Sequence, residues 1–294
     1  MQKIGLALGG GGAKGLAHIA ILEVLDEFGI RPHCIAGTSI GAIIGVLYAS
    51  GHRGREIHEA VARFSFREED GWGDLLDRKN DILKWLDIIN LNWSGSGLLK
   101  ADAFLEQLMQ HTQGTNFDDL QIPLKVVAAD FWKREQVVLD RGELKPAIQA
   151  SMALPGVFNP VVLGRQVLVD GGAVNPVPFD VIDDCDLVIA VNVMGTRTES
   201  ADLVPSMTEA VFNTFQIMQA SILRHKLHKK APDIFISPDI TDIQMLEFYK
   251  ADQVFQQSVS ACEELRQKLR SLGFEPSQPP SQGMSPSSRE TASS

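Results

Sequence analysis

The chain has 294 residues, 44% hydrophobic and 22% charged, which suits one large α/β domain or two small ones of ordinary globular type. A formal net charge of −10 argues against nucleic acid as a partner and leaves any contact with an anionic lipid surface to a local basic patch. Cys34, Cys185 and Cys262 stand far apart in sequence with no CxxC and no Cys/His pair at ligand spacing, so buried free thiols are expected rather than disulfides or a zinc site.

The opening MQKIGLALGG carries one lysine and a short apolar run, not the h-region of a signal peptide, and no stretch is apolar enough to span a bilayer. A cytoplasmic protein is expected. The apolar run from Lys3 to Leu8 predicts a strand that ends at Gly9. Leu16, Ile19, Ala20, Leu22 and Leu25 recur at helical spacing up to Gly29. Cys34–Gly37 predicts a second strand and Ile40–Ala49 a second helix. This βαβα alternation implies a parallel sheet with right-handed crossovers.

Residues 64–92 mix charges with Trp72 and Trp85, Trp93 following directly, as an insertion over one end of the sheet would. Tryptophans anchoring surface helices is the preferred account, a lid the alternative. A helix over Asp102–His111 follows. Leu124–Asp130 and Gln136–Asp140 flank the polar turn Trp132-Lys133-Arg134-Glu135 as a hairpin. A helix from Lys145 to Met152 stops before Pro155. Further strands are expected at Val167–Val169, Leu187–Val193 and Ile234–Ile236. Thr208–Lys230 forms a long amphipathic helix whose wide apolar face is expected to bury against the sheet, with peripheral membrane contact as the alternative. From Glu275 the chain is rich in Pro, Ser and Gln, so one domain over 1–274 and a disordered tail over 275–294 are expected.

Three motifs carry chemistry. Gly37-Thr38-Ser39-Ile40-Gly41 lies between an apolar strand and an apolar helix, the setting of a nucleophile elbow: the serine projects from the carboxyl end of the sheet, and side chains at either glycine would collide with neighbours. The alternative is a plain helix cap at Thr38 or Ser39. Gly9-Gly10-Gly11-Gly12-Ala13-Lys14-Gly15 lets bare backbone N–H groups converge on an anion. It matches the dinucleotide fingerprint in spacing, yet the second strand ends in Ala36-Gly37-Thr38-Ser39 with no acid for a ribose, and Lys14 precedes Gly15 where a P-loop needs Ser or Thr. An oxyanion hole fits better. Val169-Asp170-Gly171-Gly172 sends a carboxylate out of a strand, where it either faces Ser39 or occupies an ordinary Asp-Gly turn. No histidine stands in a Gly-flanked loop after a strand. His225 or His228 could complete a triad, but with one strand ahead of Ser39 a Ser–Asp dyad is the more economical account.

The glycine loop with Lys14, the early elbow and the late Asp-Gly-Gly together resemble the patatin-like phospholipases, in particular compact bacterial members related to the neuropathy target esterase catalytic domain. Ala150-Ser151-Met152-Ala153-Leu154-Pro155-Gly156-Val157-Phe158 is similar to the stretch that precedes the family's catalytic Asp. The resemblance runs from about Lys3 to Lys230. It implies a three-layer α/β/α fold on a mainly parallel sheet, and a serine acyl hydrolase of esterase or phospholipase A type. Ser39 would be the nucleophile and Asp170 its base, and the amides of Gly10, Gly11 and Gly12 would hold the oxyanion. The implied substrate is a lipid ester or lysophospholipid, with no metal or organic cofactor. Lys14 is expected to be a solvated charge near a helix start. An idle lipid- or partner-binding protein and a nucleotide-binding enzyme are the competing classes.

Overall fold

The computed structural model describes residues 2–64, 105–106, 108–112, 114–196 and 204–277. The possible insertion with Trp72, Trp85 and Trp93, and the tail beyond 277, lie outside them. In chain order the elements are β1 (Ile4–Leu8), α1 (Ala17–Glu27), β2 (Cys34–Thr38), α2 (Ile40–Ala49), α3 (Gly54–Phe64), β3 (Leu124–Asp130), β4 (Glu135–Leu139), α4 (Leu144–Ser151), β5 (Val161–Leu163), β6 (Gln166–Asp170), β7 (Leu187–Val191), α5 (Met207–Lys229), β8 (Ile234–Ile236), α6 (Ala251–Gln257) and α7 (Val259–Ser271). The path across the sheet is β5-β6-β3-β2-β1-β7-β8, and β4 also pairs with β3. Strands β3, β2, β1, β7 and β8 are mutually parallel, while β4, β5 and β6 run antiparallel to their partners. The sheet is therefore mainly parallel, and its central strands are apolar along their whole length because both faces are covered.

The register on β3 positions everything that follows. Strand β2 runs along β3 as far as Thr38 opposite Val127. Strand β4 lines β3 from Val126 to Asp130 on the other edge. Strand β6 pairs with Ala128–Asp130 and ends with Asp170 opposite Ala128, so it takes up the edge of β3 where β2 leaves it. The last residues of β2 and β6 thus approach each other head to head.

The two faces of the sheet are unequal. Leu6, Leu8, Ile35, Val126, Ile189 and Val191 point to the side covered by α1, α2, α3, α4, α6 and α7, in one large apolar core. The alternate residues, Ala7 and Ala190, are small and lie under Val177, Phe179 and Leu223 of α5, while Ala36 packs with Val127 and Val181. Side chains that alternate along each strand make this asymmetry inevitable once the register is set.

The expected hairpin, the helix before Pro155 and the later strands are all present within a residue or two. The chain is also helical at 105–106 and 108–110. Helices α3, α6 and α7 lie beyond the elements that periodicity marked. Their buried stripes are narrow, Leu265 and Leu269 with Ala261 in α7, on otherwise polar sequence. The expected burial of the Thr208–Lys230 helix holds only in its C-terminal half. Among the described residues of α5 only Gln219 and Leu223 are buried, while Val211, Ile217 and Met218 are 56%, 67% and 53% exposed. The helix packs by its C-terminal half against the thin alanine face and leaves its N-terminal apolar residues open. Cys34 and Cys262 are buried free thiols as expected, Cys185 is half-buried, and Cys34 Sγ lies 3.6 Å from Cys185 Sγ. Among the described residues no helix is long and apolar enough to cross a membrane.

Candidate active site

Strand β2 leads into α2 through Ser39, whose backbone sits at φ 55°, ψ −123°. Positive φ in a residue with a side chain is strained, by about 1–3 kcal/mol, and persists only where the surroundings enforce it. Here they do. A Cβ at Gly37 would lie 2.6 Å from the backbone of Ala42, and one at Gly41 2.1 Å from the Leu8 carbonyl oxygen, so both flanking positions admit only glycine. The Ser39 carbonyl accepts from the amides of Ala42 (2.9 Å) and Ile43 (3.2 Å). Its own amide donates to Ser151 Oγ at 2.9 Å, and that hydroxyl donates to the Val127 carbonyl at 2.6 Å. The Ser39 side chain makes no cap bond to α2, which removes the helix-cap alternative.

Asp170 ends β6 and is 3% exposed. Its amide donates to the Ala153 carbonyl at 3.0 Å, and its Oδ1 accepts from the Gly172 amide at 2.7 Å. Burial pushes its carboxyl up to about 6, against the opposing pull of a hydrogen bond from the Ser39 side chain and of the Gly172 amide. Serine and aspartate, expected from two separate motifs, therefore lie close together where β2 and β6 meet. Gly171 is required by the same closeness, since a Cβ there would lie 2.2 Å from the Val127 carbonyl oxygen.

The glycine loop follows β1 and passes beside the elbow: a Cβ at Gly10 would be 3.4 Å from Ser39 Cβ. One expectation needs revision here. The Gly10 amide donates to the Pro176 carbonyl at 2.9 Å and so is engaged in holding the loop. The amides on either side are engaged too, Gly9 with Val191 (3.0 Å) and Ala13 with Met245 (2.8 Å). Those of Gly11 and Gly12 donate to no partner among the described residues. Gly12 has φ +61° and would bring a Cβ within 2.2 Å of the Met245 carbonyl oxygen. Lys14 is not solvated. It is 3% exposed, and its ammonium donates to the Ile243 carbonyl at 3.4 Å. A buried cation under a glycine loop fixes the loop against residues 243–245 rather than facing solvent.

Histidines take other roles. His18 is buried in α1, where Nε2 bonds the Gly9 carbonyl oxygen at 2.8 Å and burial lowers its pKa to about 4, so the ring is neutral at working pH. His225 and His228 are exposed on α5. Among the described residues no group of His, Cys, Asp and Glu could hold a metal ion.

Two polar residues carry the site without having been singled out for it. Ser151 positions the Ser39 amide. Asn175 is 1% exposed and joins four segments. Its carbonyl accepts from Thr38 Oγ1 (2.9 Å) and its amide donates to the Gly171 carbonyl (2.8 Å). Its side chain donates to Gln136 Oε1 (2.6 Å) and Asp180 Oδ1 (2.8 Å), and accepts from Lys226 Nζ of α5. With Pro176 holding Gly10, the Asn175-Pro176 turn ties the elbow, the Asp170 turn and the glycine loop together. Lys226 of α5 is thereby paired with Asp180, an ion pair whose carboxylate is exposed. The dipeptide is a turn signal in sequence, but nothing local says what such a turn grips.

An α/β fold with a strained serine elbow at the carboxyl end of a mainly parallel sheet is the class that this geometry defines. The chain belongs to the patatin-like phospholipase family, whose family model matches residues 6–183. It is 34% identical over 214 residues to an uncharacterised NTE family protein of Mycobacterium bovis, covering 72% of this chain and 55% of that one. It is 30% identical over 252 residues to lysophospholipase NTE1 of Kluyveromyces lactis, covering 85% of this chain and 16% of that one. The chain therefore spans about half the length of the first relative and about a sixth of the second. Among solved structures it resembles VipD from Legionella pneumophila at 14% identity and a TM-score of 0.46, over 90% of this chain and 67% of that one.

Proposed function

We propose that the protein is a serine acyl hydrolase that cleaves lipid carboxylic esters through a Ser39–Asp170 dyad. One observation carries the reading: a serine held at positive φ stands within electrostatic reach of a buried carboxylate whose pKa is raised to about 6. Asp170 takes the proton as Ser39 Oγ attacks the acyl carbon, and the same proton passes to the departing alcohol. Water, activated by Asp170, then releases the fatty acid from the acyl-enzyme. The unengaged amides of Gly11 and Gly12 support an oxyanion hole beside the elbow, with Gly10 in a structural role through Pro176. The N-terminus of α2, directly after Ser39, adds its partial positive charge. A lysophospholipid is a fitting substrate because the Kluyveromyces relative is named a lysophospholipase. Peripheral contact with a membrane would bring such an enzyme to its substrate; the exposed apolar residues of α5 support it, while Lys226 near the end of that helix is taken up by Asp180.

The test is hydrolysis of short-chain nitrophenyl esters and a lysophospholipid panel by wild type and Ser39→Ala in parallel, with fluorophosphonate labelling of both. Turnover and labelling are expected in wild type and neither in the variant. Hydrolysis by Ser39→Ala at the wild-type rate would end the proposal.

A further inference from the structure

The buried residues of α1 are all apolar except His18, which is fully buried between Ala17 and Ile19. An aliphatic side chain would suit that stripe at least as well. Burial lowers the imidazole pKa to about 4 and so keeps the ring neutral. Its Nδ1 has no hydrogen-bond partner among the described residues. A buried polar atom left unpaired opposes folding, so what the histidine contributes must come from its other nitrogen.

That nitrogen, Nε2, lies 2.8 Å from the Gly9 carbonyl oxygen. A carbonyl only accepts, so the ring proton sits on Nε2 and Nδ1 is the bare lone pair. The Gly9 carbonyl and the Gly10 amide are two ends of one planar peptide. The amide end donates to the Pro176 carbonyl at 2.9 Å. The carbonyl oxygen also lies 2.8 Å from where a Cβ of Gly41 would be, in the first turn of α2. One rigid plane is thus gripped by α1 at one end and by the Asn175-Pro176 turn at the other, while it abuts the elbow helix. The next peptide carries the Gly11 amide, which donates to no partner among the described residues. Gly10 joins the two peptides, and a Cβ on it would be 3.4 Å from Ser39 Cβ. A glycine there imposes no conformation of its own, so the direction of the Gly11 amide depends on how the preceding plane is held.

We propose that His18 is a positioning residue for acyl transfer: its Nε2–H fixes the Gly9–Gly10 peptide and so aims the Gly11 amide at the oxyanion that forms when Ser39 attacks. The inference rests on the acyl-hydrolase reading above and adds a residue to that same site. His18 moves no proton and touches no substrate. Its bond to Gly9 persists through turnover, whereas the Gly11 amide meets a full negative charge only as the tetrahedral intermediate forms. A loosened loop therefore lowers kcat and kcat/KM together and leaves KM in place.

The experiment measures kcat and KM on nitrophenyl butanoate for wild type, His18→Leu and His18→Gln. Leucine fills the apolar site without a donor, whereas glutamine keeps an N–H that reaches as far as Nε2. Rates are expressed per site labelled at Ser39 by a fluorophosphonate after exhaustive reaction, which counts correctly folded molecules. Removing an oxyanion donor outright costs about 10²- to 10³-fold, so loosening one in His18→Leu is expected to lower kcat by about ten- to a hundredfold, with KM within about twofold of wild type. His18→Gln is expected to be at least threefold faster than His18→Leu. Should His18→Leu not label, His18→Asn replaces it, since its amide is one carbon too short to reach Gly9, and the same losses are expected. A fall in kcat of less than tenfold overturns the inference. So does a loss that appears in KM instead, or a smaller recovery by glutamine, because the ring would then serve packing alone. A wild type that neither labels nor hydrolyses sinks the acyl-hydrolase reading and this inference with it. Wild-type turnover that is indifferent to the loss of the His18 donor sinks this inference alone.

Discussion

The two faces of the central sheet are built from alternate residues of the same strands, yet they do different work. On one side Leu6, Leu8, Ile35 and Ile189 are fully buried beneath several helices. On the other, Ala7, Ala36 and Ala190 meet the segment around Val177–Val181 and only the C-terminal half of α5. Burial of large aliphatic groups is the main favourable term in folding, so the thick face holds the fold together. The thin face gives up packing near the proposed Ser39–Asp170 dyad. There the segment from Gly171 to Asp180 spends its hydrogen bonds on holding three motifs in place.

The largest effect expected from this division is chemical. Asp170→Asn keeps the shape of the side chain and the bond from Gly172 but removes the base. Loss of about 10³- to 10⁴-fold in kcat is expected in steady-state assays. The same variant should be no less stable than wild type. The sign follows from linkage: the folded state holds the Asp170 proton more tightly than the unfolded chain does, so the group favours folding at low pH, and that contribution is lost as pH rises from about 4 through about 6. At pH 8 the asparagine escapes the cost of a buried charge, a gain of up to about 3 kcal/mol in denaturant unfolding. A variant that loses both activity and several kcal/mol would show that Asp170 belongs to the scaffold, and the contrast between the faces would collapse.

The second prediction contrasts the two sides directly. Leu6→Ala on the thick face should cost about 3 kcal/mol, since Leu6 is fully buried in the large core. Ile217→Ser on the open part of α5, where Ile217 is 67% exposed, should change stability by less than about 0.5 kcal/mol. Equal losses would mean that α5 is clamped more firmly than its exposure implies.

The smallest effect sharpens the assignment of the base. With Asp170 titrating near 6, kcat/KM should rise with pH as the carboxyl deprotonates and level off above about pH 7, falling about tenfold from pH 7 to pH 5. A pH-rate profile flat between 5 and 7 would show that the proton goes elsewhere.

How much of this was legible in sequence depends on the range of the contacts. The elbow was readable because its pattern is local: Gly37, Ser39 and Gly41 lie within five positions, and Gly37 is demanded by the strand-to-helix turn itself, though Gly41 is demanded by the Leu8 carbonyl of β1. The helix over Thr208–Lys230 was readable as a helix but not as to what it faces, because an apolar stripe has the same period whether it meets a core or a groove. Lys14 was misjudged for a similar reason. A lysine after four glycines reads as exposed until residues 243–245 fold over it. Likewise Gly10 was expected to offer its amide, and only the distant Pro176 claims it.

By itself, then, the sequence determined the kinds of chemistry available: a nucleophile at a strained turn, a loop of bare amides, a carboxylate leaving a strand. These follow from residue size and backbone freedom over a few positions. Tertiary structure alone decided that they lie together. The antiparallel arrival of β6 on the same edge of β3 that β2 vacates brings Asp170 to Ser39, and Asn175 with Pro176 locks both to the glycine loop. Such register and turn contacts join residues far apart in the chain, and pairing energies that depend on the whole sheet leave no mark on any short stretch of sequence.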